Sequence, residues 1–129
     1  MLHHLTLWVP DLGRAEESWG WLLGELGYSR DGSIDTVLLF RHPAGFAVAL
    51  EQSADMVPGM LYSRMRPGLN HVAFTLDSAD VLANLIDAAP GFGWSALPSD
   101  RHPIARGATV GYLEDRDGFE VELVARGTS

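Results

Sequence analysis

The sequence predicts an α+β fold built from two similar modules, each with the element order β-α-β-β-β. The first observation is an internal repeat: residues 36–49 match residues 109–122 at a constant offset of 73, and residues 2–7 match residues 69–74 at an offset of 67. The second is that strand-like alternation and an apolar helical stripe recur in the same order in both copies. Because a repeat of roughly 60 residues is marginal alone, we expect a single domain over residues 1–129.

The repeat also sets the expected boundaries within this domain. Module one covers residues 1–53 and module two covers residues 69–126. Residues 54–68 between them contain two Pro-Gly dipeptides and no sustained hydrophobic period. This composition is typical of a linker.

Module one begins with a strand and a helix. Residues 3–9 alternate between polar and apolar side chains, as a half-buried strand does. Asp11 is placed to cap a helix over residues 12–27, whose apolar residues recur at helical spacing. Gly27 is placed to end that helix.

The remaining elements follow the same plan in both modules. Residues 34–41 and 45–52 form two strands of module one, joined by a short turn. Module two has a strand at 70–76, a helix at about 78–89 and strands at 107–114 and 119–125. We expect one weak extra strand after each helix, which completes β-α-β-β-β.

Strand alternation sorts the side chains onto two faces in both modules. One face is apolar and is expected to pack on the helices. The opposite face of each cupped, mixed sheet is expected to line a ligand space. Its residues are His4, Thr6, Trp8, Ala47, Ala49, Glu51, His71, Ala73, Thr75, Glu120 and Glu122.

Composition excludes several classes of function. The net charge is −8, and only nine Lys and Arg residues are scattered along the chain. Nucleic acid is therefore disfavoured, because phosphate binding needs clustered basic side chains. The chain has no cysteine, which excludes disulfides and iron–sulfur clusters. No apolar run is long enough to span a membrane, and we expect a soluble cytoplasmic protein.

The repeat brings metal-ligand residue types to equivalent places. His4 and His71 correspond, and Glu122 corresponds to Ala49. Two imidazoles and a carboxylate on one face are typical of an open divalent-metal site. The alternative is that the two histidines are ordinary core residues and that Glu122 is exposed at a strand end.

Four motifs of the chain, in this order, resemble the vicinal oxygen chelate superfamily of glyoxalases, bleomycin-resistance proteins and extradiol dioxygenases. They are Leu2-His3-His4-Leu5-Thr6-Leu7-Trp8-Val9-Pro10-Asp11-Leu12, Leu22-Leu23-Gly24-Glu25-Leu26-Gly27-Tyr28, Asn70-His71-Val72-Ala73-Phe74 and Asp115-Arg116-Asp117-Gly118-Phe119-Glu120-Val121-Glu122. The resemblance implies a homodimer that binds a small molecule. It also implies metal ligands at His4, His71 and Glu122, and Ala49 at the fourth position disfavours glyoxalase I activity.

The resemblance further implies a metal-dependent enzyme that chelates vicinal oxygens of a small oxygen-rich molecule. The metal would be Fe, Mn, Zn, Ni or Co, and Tyr112 would act as the acid or base. The expected substrate-binding residues are Thr6, Trp8, Ala49, Glu51 and Arg106. Two other interpretations stay open: a metal-free drug- or metabolite-binding protein similar to bleomycin-resistance proteins, and a degenerate dimerisation or sensor module.

Overall fold

A computed structural model describes residues 1–98 and 107–127 of the chain. It forms two compact units, Met1–Leu61 and Tyr62–Ser129. Each unit pairs a helical segment with a four-stranded mixed sheet, so the predicted α+β architecture of two tandem modules is confirmed. Within the described residues, no helix is long and apolar enough to cross a membrane.

The first unit contains four strands and an interrupted helix. Its elements are β1 (His4–Trp8), α1 (Leu12–Ala15), a π-helical turn (Glu16–Gly20), α2 (Trp21–Glu25), β2 (Ser29–Ile34), β3 (Val37–Arg41) and β4 (Ala47–Glu51). The strands lie in the order β1-β4-β3-β2. Strands β1 and β4 are parallel, and the other pairs are antiparallel.

Local sequence explains where this helical segment begins and ends. The side chain of Asp11 accepts a hydrogen bond of 2.8 Å from the backbone N–H of Arg14, as expected of an N-cap. Gly27 follows the last turn with φ of +92°, a conformation that favours glycine. Both sequence predictions are confirmed. Trp19 and Leu22 point inward and are almost completely buried.

The second unit repeats the plan. Its elements are β5 (Val72–Leu76), α3 (Ala79–Ala88), a 3₁₀ turn (Ala89–Phe92), β6 (Ser95–Leu97), β7 (Thr109–Glu114) and β8 (Glu120–Ala125). The strand order is β5-β8-β7-β6, with β5 parallel to β8. Ser78 caps α3 by accepting from the N–H of Val81 at 3.2 Å. Helix α3 packs on β5, β7 and β8.

The expected strand over residues 34–41 is wrong in its first part. Ile34 ends β2 and pairs with Val37, the first residue of β3, so residues 35 and 36 form a tight hairpin turn. Asp35 takes a positive φ of 38°, which its short polar side chain tolerates. The apolar residue at 34 was therefore an unreliable sign that one strand continued through this point.

The weak extra strand is present in both units. It is β2 in the first unit and the shorter β6 in the second. Every residue of β2 is exposed. The register of β2 against β3 shifts between Arg30 and Ser33, which is a β-bulge. Gly32 lies within the bulge at φ of +124°.

Candidate metal and substrate site

The paired strands β7 and β8 present a carboxylate-rich face. Tyr112 pairs across the strands with Glu122, and Glu114 pairs with Glu120, so all four side chains share one face. The opposite face of the sheet packs on α3. A Cβ on Gly111 would lie 3.1 Å from Cδ1 of Ile86 in that helix. Alternation therefore separates the carboxylate-rich face from the helix-packing face, as the sequence predicted.

His71 contacts Glu122 on this face. The Nε2 atom of His71 lies 3.3 Å from Oε1 of Glu122. The Glu122 residue is only 3% exposed. Because a buried carboxylate is costly unless a cation or hydrogen-bond donors compensate it, the adjacent imidazole is one group that can compensate this carboxylate. The structure thus brings together two of the three predicted ligands.

The other ring nitrogen of His71 is held by Asn70. The Nδ1 atom of His71 is 2.7 Å from Oδ1 of Asn70, while Nδ2 of Asn70 donates to the carbonyl oxygen of Arg64 at 3.0 Å. The carbonyl can only accept, so the amide must present its oxygen to the imidazole. Nδ1 of His71 then donates the hydrogen bond to Oδ1 of Asn70.

Arg64 neutralises the other two carboxylates of the face. Its Nη1 is 2.9 Å from Oε1 of Glu114, and its Nε is 3.0 Å from Oε1 of Glu120. The side chain of Glu120 is completely buried and that of Arg64 is 13% exposed. Glu120 was expected to line the ligand space, but the arginine covers it and its side chain is not exposed.

The contacts of Tyr62 fix the segment between Tyr62 and Leu69, which contains Arg64. The ring of Tyr62 stacks on Phe119, with centroids 4.1 Å apart. The phenolic O–H of Tyr62 donates to the carbonyl oxygen of Leu69. Burial raises the pKa of Tyr62, and the nearby Arg64 opposes that rise. The two ends of this short segment are therefore both held within the second unit.

The turn between β7 and β8 is fixed by Asp115. Its buried carboxylate accepts from the backbone N–H groups of Asp117 and Phe119, both at 2.9 Å. His42 stands at the equivalent place in the first unit and accepts from the N–H of Ala44 at 3.0 Å. Two different side chains thus cap the same turn in the two repeats.

The first unit presents its own predicted site residues on one face. His4, Thr6 and Trp8 alternate along β1, and their cross-strand partners in β4 are Ala47, Ala49 and Glu51. Nε1 of Trp8 donates to Oε1 of Glu51 at 3.0 Å, and the indole is 47% exposed. Ala49 is buried, whereas Thr6 is exposed.

His4 lies at the start of β1 beside its neighbour His3. Both side chains are exposed, and their Nδ1 atoms are 2.9 Å apart, so one of them donates a hydrogen bond to the other. Alternation predicts His3 on the helix side of the strand or at the N-terminal surface, and His3 is exposed. Equivalent positions of the repeat place His4 at the first residue of β1 and His71 directly before β5.

The remaining predicted site residues are Tyr112, Arg106 and His4 as a third metal ligand. Tyr112 is the direct cross-strand partner of Glu122 and is 1% exposed. Arg106 falls outside the described residues. Among residues 1–98 and 107–127, no group of three or more His, Asp or Glu side chains is arranged to hold a metal ion. The role of His4 as a third ligand therefore stays a prediction.

Sequence reasoning missed two residues of this site. Arg64 lies in the segment interpreted as a linker, and Asn70 was noted only as part of a motif. The available signal for Arg64 was the presence of three glutamates on one predicted strand face, since buried carboxylates need a cation. Asn70 gave a weaker signal: an amide directly before a candidate ligand histidine.

A separate groove lies on the helix side of the second sheet. It has a volume of about 360 Å³ and is lined mainly by apolar side chains, including Leu82, Ile86 and Leu97. Gly111 also lines it and faces α3 rather than Glu122. Tyr112, which lies on the carboxylate-rich face, also borders this groove.

Comparison with known protein families shows which superfamily the chain belongs to. Residues 3–112 match the model of the Glyoxalase/Bleomycin resistance protein/Dioxygenase superfamily. The chain belongs to this superfamily. A Bacillus subtilis (strain 168) relative, the uncharacterised protein YqjT, is 33% identical over 126 residues, which cover 96% of this chain and 98% of that protein.

Solved structures agree with superfamily membership. The crystal structure of a provisionally named glyoxalase from Bacillus halodurans is similar, with a TM-score of 0.86 and 33% identity. The similarity covers 98% of this chain and 96% of that one. The fosfomycin resistance protein FosX from Listeria monocytogenes has a TM-score of 0.69 at 20% identity, covering 96% of this chain and 89% of its own. At that identity the likeness shows the shared fold of the superfamily.

Proposed function

We propose that this superfamily member is a divalent-metal-dependent enzyme acting on a small oxygen-rich molecule that is chelated through vicinal oxygens. The observation that supports this best is the contact between Nε2 of His71 and Oε1 of Glu122 at 3.3 Å. Asn70 accepts from the opposite ring nitrogen, so Nε2 is the ring nitrogen directed at Glu122 and able to bind a metal ion. Metal-binding histidines typically have this arrangement, with the second N–H held by an oxygen acceptor.

The donor spacing also fits a shared ion. Two donor atoms each about 2.1 Å from one divalent ion, at a tetrahedral angle, are roughly 3.4 Å apart. The observed separation of 3.3 Å is close to that value. One imidazole and one carboxylate are ligands that Fe, Mn, Zn, Ni and Co all accept. Family resemblance adds His4 as a further ligand.

The roles of the other residues follow from their positions. A bound divalent ion would supply a Lewis acid that stabilises negative charge on a chelated substrate oxygen. Tyr112, directly across from Glu122, would hold or transfer a proton at that oxygen. On the first unit, Thr6 and the pair of Trp8 and Glu51 would contact the substrate. Arg106 would bind an anionic substrate group.

Ala49 limits the choice of reaction. It stands at the place in β4 that Glu122 has in β8, and its methyl group cannot bind a metal. A site with three protein ligands keeps coordination positions open for a substrate. We therefore propose chemistry that requires an open metal site, and we continue to disfavour glyoxalase I.

Metal analysis of the purified protein tests the proposal. Wild-type protein incubated with Fe, Mn, Co, Ni or Zn and then desalted should retain about one ion per chain. His71→Ala and Glu122→Gln should each lose it. His42→Ala serves as the control, because this imidazole caps a turn instead of facing a carboxylate. An empty wild-type protein after all five incubations would refute the proposal.

A second candidate function is supported by a separate observation. The indole of Trp8 is about half exposed and is held by Glu51, which sets an aromatic face beside a carboxylate. Such a pair suits a cationic ligand, as in a metal-free drug- or metabolite-binding protein. Tight binding of a cationic glycopeptide that persists in chelator and without turnover would favour this alternative. Loss of that binding in Trp8→Ala would assign it to this residue.

We further propose that the protein acts in the cytoplasm as a homodimer, as the sequence and the superfamily resemblance predict. Exposed apolar side chains such as Leu61 and Met65 are consistent with a surface that a second copy covers. Sedimentation equilibrium should give about twice the chain mass. A monomer at micromolar concentration would contradict the dimer without affecting the metal proposal.

A further inference from the structure

The groove on the helix side of the second sheet lies between helix α3 and the strands β6 and β7. Its volume of about 360 Å³ falls within the range of roughly 300–1,000 Å³ that is typical of small-molecule sites. The residues of α3 that line it are spaced i, i+3, i+4, i+7 and i+8, so they form one face of the helix. They are Ala79, Leu82, Ala83, Ile86 and Asp87.

The strand side of the groove carries little side-chain bulk. Gly111 of β7 has no side chain, and Ala96 of β6 adds only a methyl group. A Cβ on Gly111 would lie 3.1 Å from Ile86 and 3.2 Å from Leu82, so the strand backbone lies close to the helix here. The groove therefore offers mainly apolar surface, which releases water when an apolar ligand covers it.

Asp87 is the one charged residue among the described residues that line the groove. Within residues 1–98 and 107–127, its carboxylate forms no ion pair. Asp87 also lies in the last turn of α3, which contains no basic residue. The helix dipole places partial negative charge at this end and favours a cation there. A cation in this part of the groove would therefore be attracted by the carboxylate and by the helix terminus together.

We propose that this groove is a binding site for a small molecule with an apolar body and one cationic group, such as a protonated amine. The apolar body lies between α3 and β7, and the cationic group lies beside Asp87. The net charge of −8 favours the approach of a cation over that of an anion. This site goes beyond the proposed function, because none of the proposed metal ligands lines the groove.

Three probes with the same indole body and different charge test the proposal. Tryptamine is cationic at neutral pH, tryptophol is neutral and indolepropionate is anionic. Each is titrated into the full chain in the presence of a metal chelator, while backbone amide chemical shifts are recorded. Tryptamine should shift the amides of Asp87 and Gly111 saturably, with a Kd on the order of 1 mM. Tryptophol should bind about threefold to tenfold more weakly, and indolepropionate should not saturate.

Variants of α3 separate the charge from the apolar space. Asp87→Asn should reduce the affinity for tryptamine to that for tryptophol. Ala83→Leu places a larger side chain in the groove and should abolish saturable binding of both probes. Both positions are exposed, so the variants should fold. Ala88→Leu makes the same change at an exposed position of α3 outside the groove and should bind tryptamine as wild type does.

Trp8→Ala controls for the other surface on which a cationic probe could bind. It should leave the tryptamine-induced shifts of Asp87 and Gly111 unchanged. If the shifts of wild-type protein are instead confined to β1 and vanish in Trp8→Ala, the probe occupies that surface and the groove proposal is overturned.

Other results would also overturn the proposal. Equal affinities for tryptamine and tryptophol, or an unchanged tryptamine affinity in Asp87→Asn, would remove the role of the carboxylate. Wild-type affinity in Ala83→Leu would place the probe outside the groove. If no probe binds and Ala83→Leu converts a dimer to a monomer in sedimentation, the groove is a contact between two copies of the chain.

Discussion

Ala49 occupies in β4 the place that Glu122 occupies in β8. Ala49 pairs with Thr6 in its parallel neighbour strand, and Glu122 pairs with Ala73 in its own. Both residues also pair with a residue of the antiparallel strand on their other side. The two repeats therefore agree in backbone register and differ in one chemical group. That difference makes a direct substitution informative.

Replacing Ala49 by Glu should destabilise the metal-free protein, because the position is only 6% exposed. We expect the free energy of unfolding to fall by on the order of 3 kcal/mol, since a carboxylate would lose its hydration there. Ala49→Gln has nearly the same size without the charge. Urea denaturation should show a larger loss for the Glu variant, and divalent metal should stabilise that variant more than the Gln variant. Equal losses of stability in the two variants would mean that side-chain size, and not charge, causes the destabilisation.

Replacing Arg64 by Met should destabilise the second unit strongly. Removal of one partner leaves Glu120, whose side chain is completely buried, without its guanidinium. Breaking a buried ion pair in this way costs about 3–5 kcal/mol. Arg126→Met, at an exposed position after β8, should change the free energy of unfolding by less than about 0.5 kcal/mol. Similar denaturation midpoints for both variants would contradict the assigned role of Arg64.

Replacing Gly111 by Ala should also cost stability, for a steric reason. The added Cβ would lie 3.1 Å from Ile86 and 3.2 Å from Leu82. We expect a loss of about 1–2 kcal/mol, as in other overpacked interiors. Gly24→Ala is the matched control, because it lies in α2 with nothing within 4 Å. That variant should gain about 0.5–1 kcal/mol from helix propensity in thermal denaturation.

Stability should decline at alkaline pH through Tyr28 and Tyr62. Burial raises the pKa of both phenols, while Arg64 partly lowers that of Tyr62. The folded state therefore favours the neutral phenol, and its contribution is complete below the ordinary pKa of about 10. It is lost as pH rises through the raised values. The free energy of unfolding should fall above about pH 10, and less steeply in the double variant with Phe at both positions.

Tyr112→Phe should separate folding from chemistry. The hydroxyl group is the only change at this buried cross-strand partner of Glu122, so the fold should persist. Metal affinity should stay within about threefold of wild type. Once a substrate is identified, turnover should fall by about 10²–10⁴-fold, as expected for loss of a general acid or base. Unchanged turnover with substrate would remove Tyr112 from the proposed acid–base role.

The sequence predicted the fold well because hydrophobic periodicity reports directly on burial. Alternation along β1 and β8 separated the two faces correctly, and Asp11 and Gly27 marked the limits of the first helical segment. The hairpin at Asp35 was missed because an apolar residue precedes it and no glycine marks the turn.

The site was harder to predict, because its supporting contacts lie outside the regular elements. Glu122 was identified through the repeat, and its contact with His71 needed only the strand register. Arg64 has no counterpart in a periodic pattern, since it reaches Glu114, fifty positions later, from an irregular segment. Only the three-dimensional path of the chain brings them together.

The bulge in β2 has a consequence for behaviour at high concentration. This strand forms the border of the first sheet, and all of its residues are exposed, so its unpaired backbone groups are accessible to other molecules. A regular border of this kind would be a template for intermolecular β-pairing and aggregation. The register shift between Arg30 and Ser33 interrupts the straight row of donors and acceptors, and Arg30 and Asp31 add charges beside it. The irregularity that weakens this strand within its own sheet therefore protects the protein from self-association along that border.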